Sequence, residues 1–257
     1  MKMIRRLIRS FALIALAMTV PLARGQAPGT LPTAAQVLDQ YIEATGGKAM
    51  YEKFTNRVSE GTLEVVGANV KGKITLTQAS PNKITSVTDL GPLGTTRQGT
   101  DGQVAWEIST ISGERLLTGE EKEAFVSQAL FNGEVRWRER YMKAECVAIE
   151  NVDGKPAAKL VLTRKVGKPL VEYYDLASHL IVRQIITAKG PMGEITIDQY
   201  PGDYRKIDGV LMPTSVKQKV FGQEMVMNFS KIKHNVTIPP ETFAIPQEIA
   251  AIQAKKK

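Results

Sequence analysis

The sequence predicts a mainly β domain with a few helices: one large, curved antiparallel sheet forming an incomplete β-barrel, lidded by helices. Three observations carry that expectation. From Arg57 to His234 apolar and polar residues alternate over most of the chain, the period of half-buried strands. Asp-Gly pairs at Asp101-Gly102, Asp153-Gly154 and Asp208-Gly209 separate extended stretches and favour the positive-φ backbone of tight hairpins, so consecutive strands should pair as antiparallel neighbours. Helical periodicity is confined to the start and the centre of the chain, too little to cover more than one face of so wide a sheet.

The chain opens with MKMIRRLIRS, which carries Lys2, Arg5, Arg6 and Arg9 and no acid, followed by the uncharged run FALIALAMTVPL. A basic segment feeding a short apolar one reads as a secretory signal, and the run stops short of the roughly 20 apolar residues that span a bilayer. The small residues Ala23 and Gly25 place the cut after Gly25, with the cut after Ala27 as the alternative. No cysteine follows the apolar run, so a lipidated N-terminus is not expected. Residues 1–25 are therefore assigned to a cleaved signal, 26–32 to a flexible leader, 33–250 to a single domain and 251–257 to a basic, solvated tail.

Within the domain, Thr33 is placed to cap a helix whose Val37, Leu38, Tyr41 and Ile42 recur on one face and which Gly46-Gly47 stops. A short helical turn follows over 48–54. Strands are expected at 58–66, 70–78, 83–90, 95–99 and 103–108. TGEEKEAFVSQAL, starting at Thr118, reads as a capped helix with acids in its first turn and Phe125 on its buried face. A weaker helical pattern over 134–143 sets Trp137 and Tyr141 on one side. Strands resume at 146–152, 157–164, 170–175, 180–187, 194–204, 211–221 and 224–234.

A half-barrel of this kind encloses an apolar space, and pockets are common in barrel mouths. Met225, Met227 and Phe229 share one strand face, and Met212 adds an adaptable side chain nearby. With Trp106, Phe125, Phe131 and Trp137 they form the candidate cavity lining. For any single methionine ordinary core is the stronger reading, and for the aromatics core and lining weigh about equally, since large apolar side chains bury wherever they can.

Composition and motifs exclude several function classes. The formal charge of +8 falls to about +3 once the five basic residues of the signal are discounted, and no Arg/Lys stripe with interleaved aromatics suggests nucleic acid. Cys146, the only cysteine, cannot form an intramolecular disulfide and reads as a small hydrophobe in a strand. His179 and His234, the only two histidines, lack metal-ligand spacing and read as surface residues. There is no phosphate loop, dinucleotide fingerprint or GxSxG elbow. No enzyme activity, metal or cofactor is expected.

Three passages then carry a resemblance. VKGKITLTQASPNKI, from Val70 to Ile84, ends a strand in a proline-marked turn; GTDGQVAWEI, from Gly99 to Ile108, follows as an Asp-Gly hairpin leading to an aromatic strand; and IPPETFAIP, from Ile238 to Pro246, closes the domain with a Phe before an Ile-Pro pair. The chain resembles the LolA/LolB-like superfamily of outer-membrane lipoprotein-sorting proteins. That resemblance implies an incomplete barrel whose cavity takes acyl chains reversibly in the periplasm, acting as a monomer with inner- and outer-membrane sorting proteins as partners. The sequence departs from the family in one place: Ser80 precedes Pro81 where the family has a lid-latching arginine, so either another residue latches the lid/turn region at Ser80 and Pro81 or the chain is not a true lipoprotein chaperone. The alternative reading is a non-enzymatic envelope sensor or protein-interaction domain on the same fold.

Expression in a Gram-negative host should yield a soluble periplasmic form whose N-terminal sequence begins at Gln26; uncleaved protein embedded in the membrane would contradict the export reading.

Overall fold

Helix α1 (Ala34–Ala44) begins where the sequence places it. Thr33 Oγ1 accepts from the Gln36 amide at 3.2 Å while the Gln36 side chain accepts from the Thr33 amide at 2.8 Å, a reciprocal capping box. The computed structural model describes residues 30–190 and 193–255; the signal and most of the leader lie outside the described residues. The buried stripe of α1, Val37, Leu38, Tyr41 and Ile42, packs largely on the strands that follow the central helices. At about 1.5–3 kcal/mol for each large apolar side chain, that stripe outweighs the cap in fixing the helix to the sheet. A short helix, α2 (Lys48–Tyr51), leads into the strands.

Thirteen strands follow: β1 (Asn56–Val65), β2 (Val70–Ala79), β3 (Lys83–Asp89), β4 (Thr95–Thr100), β5 (Ala105–Ser109), β6 (Gly113–Leu116), β7 (Tyr141–Val152), β8 (Lys155–Arg164), β9 (Leu170–Asp175), β10 (Ile181–Gly190), β11 (Gly193–Ile207), β12 (Val210–Val220) and β13 (Gln223–His234). They form one antiparallel sheet in the order β6-β5-β4-β3-β2-β1-β13-β12-β11-β10-β9-β8-β7. Each run of consecutive strands is a meander, and the two meanders meet where β1 pairs with β13, Arg57 opposite His234 and Val65 opposite Met225. The free edges are β6 and β7. These are consecutive in sequence, so the segment joining them must cross the gap that keeps the barrel open.

That segment contains α3 (Gly119–Gln128) and α4 (Trp137–Arg140). Three expectations are corrected here. Thr118 sits at the N-cap of α3 but makes no side-chain capping bond, and no residue of α3 is fully buried, Phe125 included. The cause is placement: α3 spans a space above the sheet instead of packing flat on it. The helical pattern over 134–143 yields only one turn, because Tyr141 is taken into β7 by pairing with Arg164 of β8. β6 was not anticipated, and its four residues carry too short an alternation to register.

The C-terminus also differs. Helix α5 (Gln247–Ala254) continues through the first residues of the expected solvated tail, held by Ile249, which has no exposed surface. Phe243 of the IPPETFAIP passage is buried as well. His234, read as a surface residue, has a side chain only 3% exposed; it stacks on Phe54 with ring centroids 4.1 Å apart and bonds Asp208 at 2.9 Å through Nδ1. The stacking partner lies 180 positions away, beyond any local sequence signal.

The seam between the meanders depends on one close approach. At Gly61, beside a bulge in the β1–β13 pairing, a Cβ would lie 2.1 Å from the Asn228 carbonyl oxygen and 2.8 Å from the Phe229 Cα. Gly61→Ala should therefore lower stability by about 1–3 kcal/mol through forced backbone displacement, read as a lower urea midpoint at unchanged slope. Gly202→Ala, where a Cβ meets nothing within 4 Å, should stay within about 0.5 kcal/mol of the parent. Equal midpoints for the two variants would contradict the seam argument.

Candidate functional site

The space beneath α3, α4 and α1 is a cavity of about 400 Å³ over the β8–β10 part of the sheet. Its walls mix two kinds of side chain. Leu38, Leu170, Ile181, Ile186 and Trp137 supply apolar surface, while Glu134, Arg140, Arg164, Glu172 and Gln184 face the same volume. Two smaller spaces adjoin it. One, of about 260 Å³, lies toward β5 and β6 and shares Gln128 and Arg164 with the first; the other, of about 210 Å³, shares Tyr41, Gln78, Glu134, Ile181 and Gln184 with it and runs toward β12 and β13.

Most of the interior charge is bound to neighbours. Glu172, 5% exposed, accepts from the Tyr174 hydroxyl and from Gln184 Nε2 at 2.6 Å. Burial raises its carboxyl above the ordinary range, with those two hydrogen bonds opposing the rise. Arg164, also 5% exposed, donates from Nε to the Lys168 carbonyl at 2.7 Å and from a terminal nitrogen to the Thr187 carbonyl at 3.0 Å. Arg57 donates to Gln78 Oε1 at 2.5 and 3.2 Å. Burial lowers both arginines from their usual value without approaching neutrality, since a guanidinium remains protonated in proteins. Arg140 is the exception: its Nε is buried and has no hydrogen-bond partner.

The segment between α3 and α4 is tied to the sheet at the turn that holds Ser80 and Pro81. The Phe131 amide donates to the Pro81 carbonyl at 2.9 Å, tying the segment after α3 to the β2–β3 turn. Asn132 Nδ2 donates to the Tyr51 carbonyl at 2.7 Å, and the Arg57 guanidinium lies 5.9 Å from the Phe131 ring centroid. Ser80 itself is exposed, and its amide donates to the Thr55 carbonyl at 2.8 Å.

The predicted lining residues separate into groups. Trp137 borders the main cavity, Phe125 the space toward β6, and Met212 and Phe229 the space toward β13. Met225 and Met227 are half-buried opposite Val65 and Leu63, on the same strand face as Phe229 but farther along it. Trp106, 2% exposed, packs over Gly99, and Phe131, 4% exposed, anchors the lid; neither borders the three spaces described. Of the main cavity's lining, sequence reasoning named Trp137 and missed the apolar Leu38, Leu170, Ile181 and Ile186 as well as Glu134, Arg140, Arg164 and Glu172. Of the charged residues only Arg164 and Glu172 carried a signal, as charges in otherwise apolar, inward-facing strand positions.

Among the described residues no His, Cys, Asp and Glu group of three or more is arranged to hold a metal ion, and no helix is long and apolar enough to cross a membrane. Cys146 is half-buried at the edge of the core, where burial pushes its thiol up.

An unclosed antiparallel barrel, bridged by helices over an interior cavity, defines the structural class. Within that class the chain has the LolA-like fold. It is similar to a LolA superfamily protein from Nitrosomonas europaea (TM-score 0.56, 14% identity, covering 84% of this chain and 99% of that one). It is equally similar to a domain described as an outer membrane lipoprotein-sorting protein from Vibrio parahaemolyticus (TM-score 0.56, 13% identity, 82% of this chain and 97% of that one). A DUF1329 family protein from Desulfovibrio piger gives a TM-score of 0.54 at 14% identity, covering 82% of this chain and 96% of that one. At these identities the likeness is one of fold. No family model matches the sequence, and no curated protein matches it.

The raised Glu172 carboxyl has a pH signature. The folded protein holds that proton more tightly than the unfolded chain, so between the ordinary carboxylate pKa and the folded one stability falls as pH rises. Glu172→Gln keeps the hydrogen-bonded shape and removes the titration. The urea midpoint of the parent should therefore decline relative to the variant's as pH rises above the ordinary carboxylate range, about pH 4. Parallel profiles would show that burial does not perturb this group.

Proposed function

We propose that the protein is a non-enzymatic periplasmic carrier that binds lipid, or the acyl chains of lipoproteins, reversibly in its half-barrel and serves outer-membrane lipoprotein sorting. The observation that carries the reading is the joined interior space beneath the segment that spans the two free sheet edges. A cavity of about 400 Å³ lies within the roughly 300–1,000 Å³ range of ligand sites, and its extension along Met212 and Phe229 gives an apolar chain somewhere to lie. The fold shared with lipoprotein-sorting proteins supports the same reading by analogy.

The walls of the main cavity also favour binding: among the described lining residues there is no Ser, Cys, His, Lys or Asp, and the Tyr174 hydroxyl and the Glu172 carboxylate are bonded to each other. Exchange needs only that the 117–140 segment lift from the sheet, exposing the apolar interior at a membrane or partner and covering it again in water.

Native mass spectrometry of mature protein purified from a periplasm without detergent should show a co-purifying lipid or acylated peptide that delipidation removes. A clean unliganded mass that also ignores added acyl ligands would contradict the carrier reading.

A further inference from the structure

The interior holds three arginines whose side chains are withdrawn from water to different degrees, and they are not equivalent. Arg57 spends its donors on Gln78, and Arg164 on two backbone carbonyls. Arg140, at the end of α4, makes no hydrogen bond or ion pair from its guanidinium to any described residue, and its Nε is buried. Its Cζ lies 5.3 Å from the Tyr141 ring centroid, a contact with a ring face that leaves the buried Nε–H unsatisfied, and a buried donor without a hydrogen-bond partner is costly.

The two acids facing the same volume do not pair with it. Glu172 is occupied by Tyr174 and Gln184. Glu134 forms no ion pair with Arg140 and stands where the main cavity opens into the space toward β13. The residue beneath the guanidinium is Gly133, where a Cβ would come within 3.2 Å of an Arg140 terminal nitrogen, so the absence of a side chain keeps that approach open.

We propose that Arg140 receives the anionic oxygen group, a carboxylate or a phosphate, of an amphipathic ligand whose chain runs from the main cavity toward Met212 and Phe229. The planar guanidinium presents paired donors that match either group in a forked, two-bond contact, and removal from water strengthens the pairing. The apolar stretch Ile181, Met212, Phe229 and Ile232 follows directly through the shared wall, so head and chain are accommodated in one continuous space. This assignment rests on the carrier reading and narrows its ligand class to single-chain or headgroup anions.

The test compares three probes of equal chain length at monomeric concentrations: palmitate, 1-palmitoyl-lysophosphatidate and the uncharged hexadecanol, titrated by calorimetry into the parent protein, Arg140→Gln and Arg140→Lys. One or both anions should bind the parent roughly 10-fold or more tighter than hexadecanol, the size of one buried charged hydrogen bond. Arg140→Gln should abolish that preference while leaving hexadecanol affinity within about 2-fold, and Arg140→Lys should restore part of it. Whichever anion shows the larger preference identifies the carboxylate or the phosphate as the group recognised. Equal binding of all three probes to the parent, or an anion preference that survives Arg140→Gln, would overturn the assignment while leaving chain binding intact. Failure of every probe to bind would overturn the carrier reading itself. The comparison among probes on the parent protein stands even where a variant fails to fold.

Discussion

Everything in this molecule follows from a sheet that does not close. Thirteen antiparallel strands twist and curl, yet β6 and β7 never pair, and the backbone groups along those edges have no partner strand on their outer side. The chain passes between those same two edges once, as the α3–α4 segment. Bridging the gap with helices leaves room, and the strand seam between β1 and β13, tight enough to require Gly61, fixes the width of that room from the opposite side.

The second consequence is electrostatic. A concave face lidded by helices excludes water from charges that would otherwise be solvated, so each interior charge must be paired or hydrogen-bonded. Glu172, Arg164 and Arg57 meet that demand within the chain, through Tyr174 and Gln184, through backbone carbonyls, and through Gln78. They also link β1 to β2 and β8 to β10, which stiffens the floor of the cavity without filling it. Arg140 meets it only in part: its Cζ lies 5.3 Å from the Tyr141 ring centroid, while its buried Nε has no hydrogen-bond partner. The difference between a cavity floor whose charges are satisfied and a ceiling whose charge is not gives the site its direction.

Much of this architecture was legible in the sequence because alternation and turn chemistry are local. The Asp-Gly pairs and the long alternating stretches from Val70 and from Glu194 marked antiparallel strands, and the Thr33 cap with its apolar stripe marked α1. The lid was partly legible: α3 stands close to the predicted position, but an amphipathic pattern cannot reveal that its apolar face looks into a space instead of onto a packed core. The polar half of the site was hidden for a different reason. Glu172 and Arg164 sit 8 positions apart in separate strands, and Arg140 precedes a strand by one residue, so only the register of β7 to β10 brings them to one cavity. His234 was misjudged on the same ground, its partners Phe54 and Asp208 being supplied by distant segments.

The central claim, that the space under the helical bridge is a ligand site, is tested most directly at its own side chains. Methionine methyl groups carrying carbon-13 report their surroundings by NMR, and this chain provides both a probe and a control. Met212 borders the interior space toward β13, whereas Met142, at the start of β7, is 70% exposed. On titration with palmitate the Met212 resonance should move with saturation while Met142 stays in place. Bound palmitate that leaves Met212 unmoved, or that shifts both methyl groups alike, would place the ligand elsewhere and contradict the account.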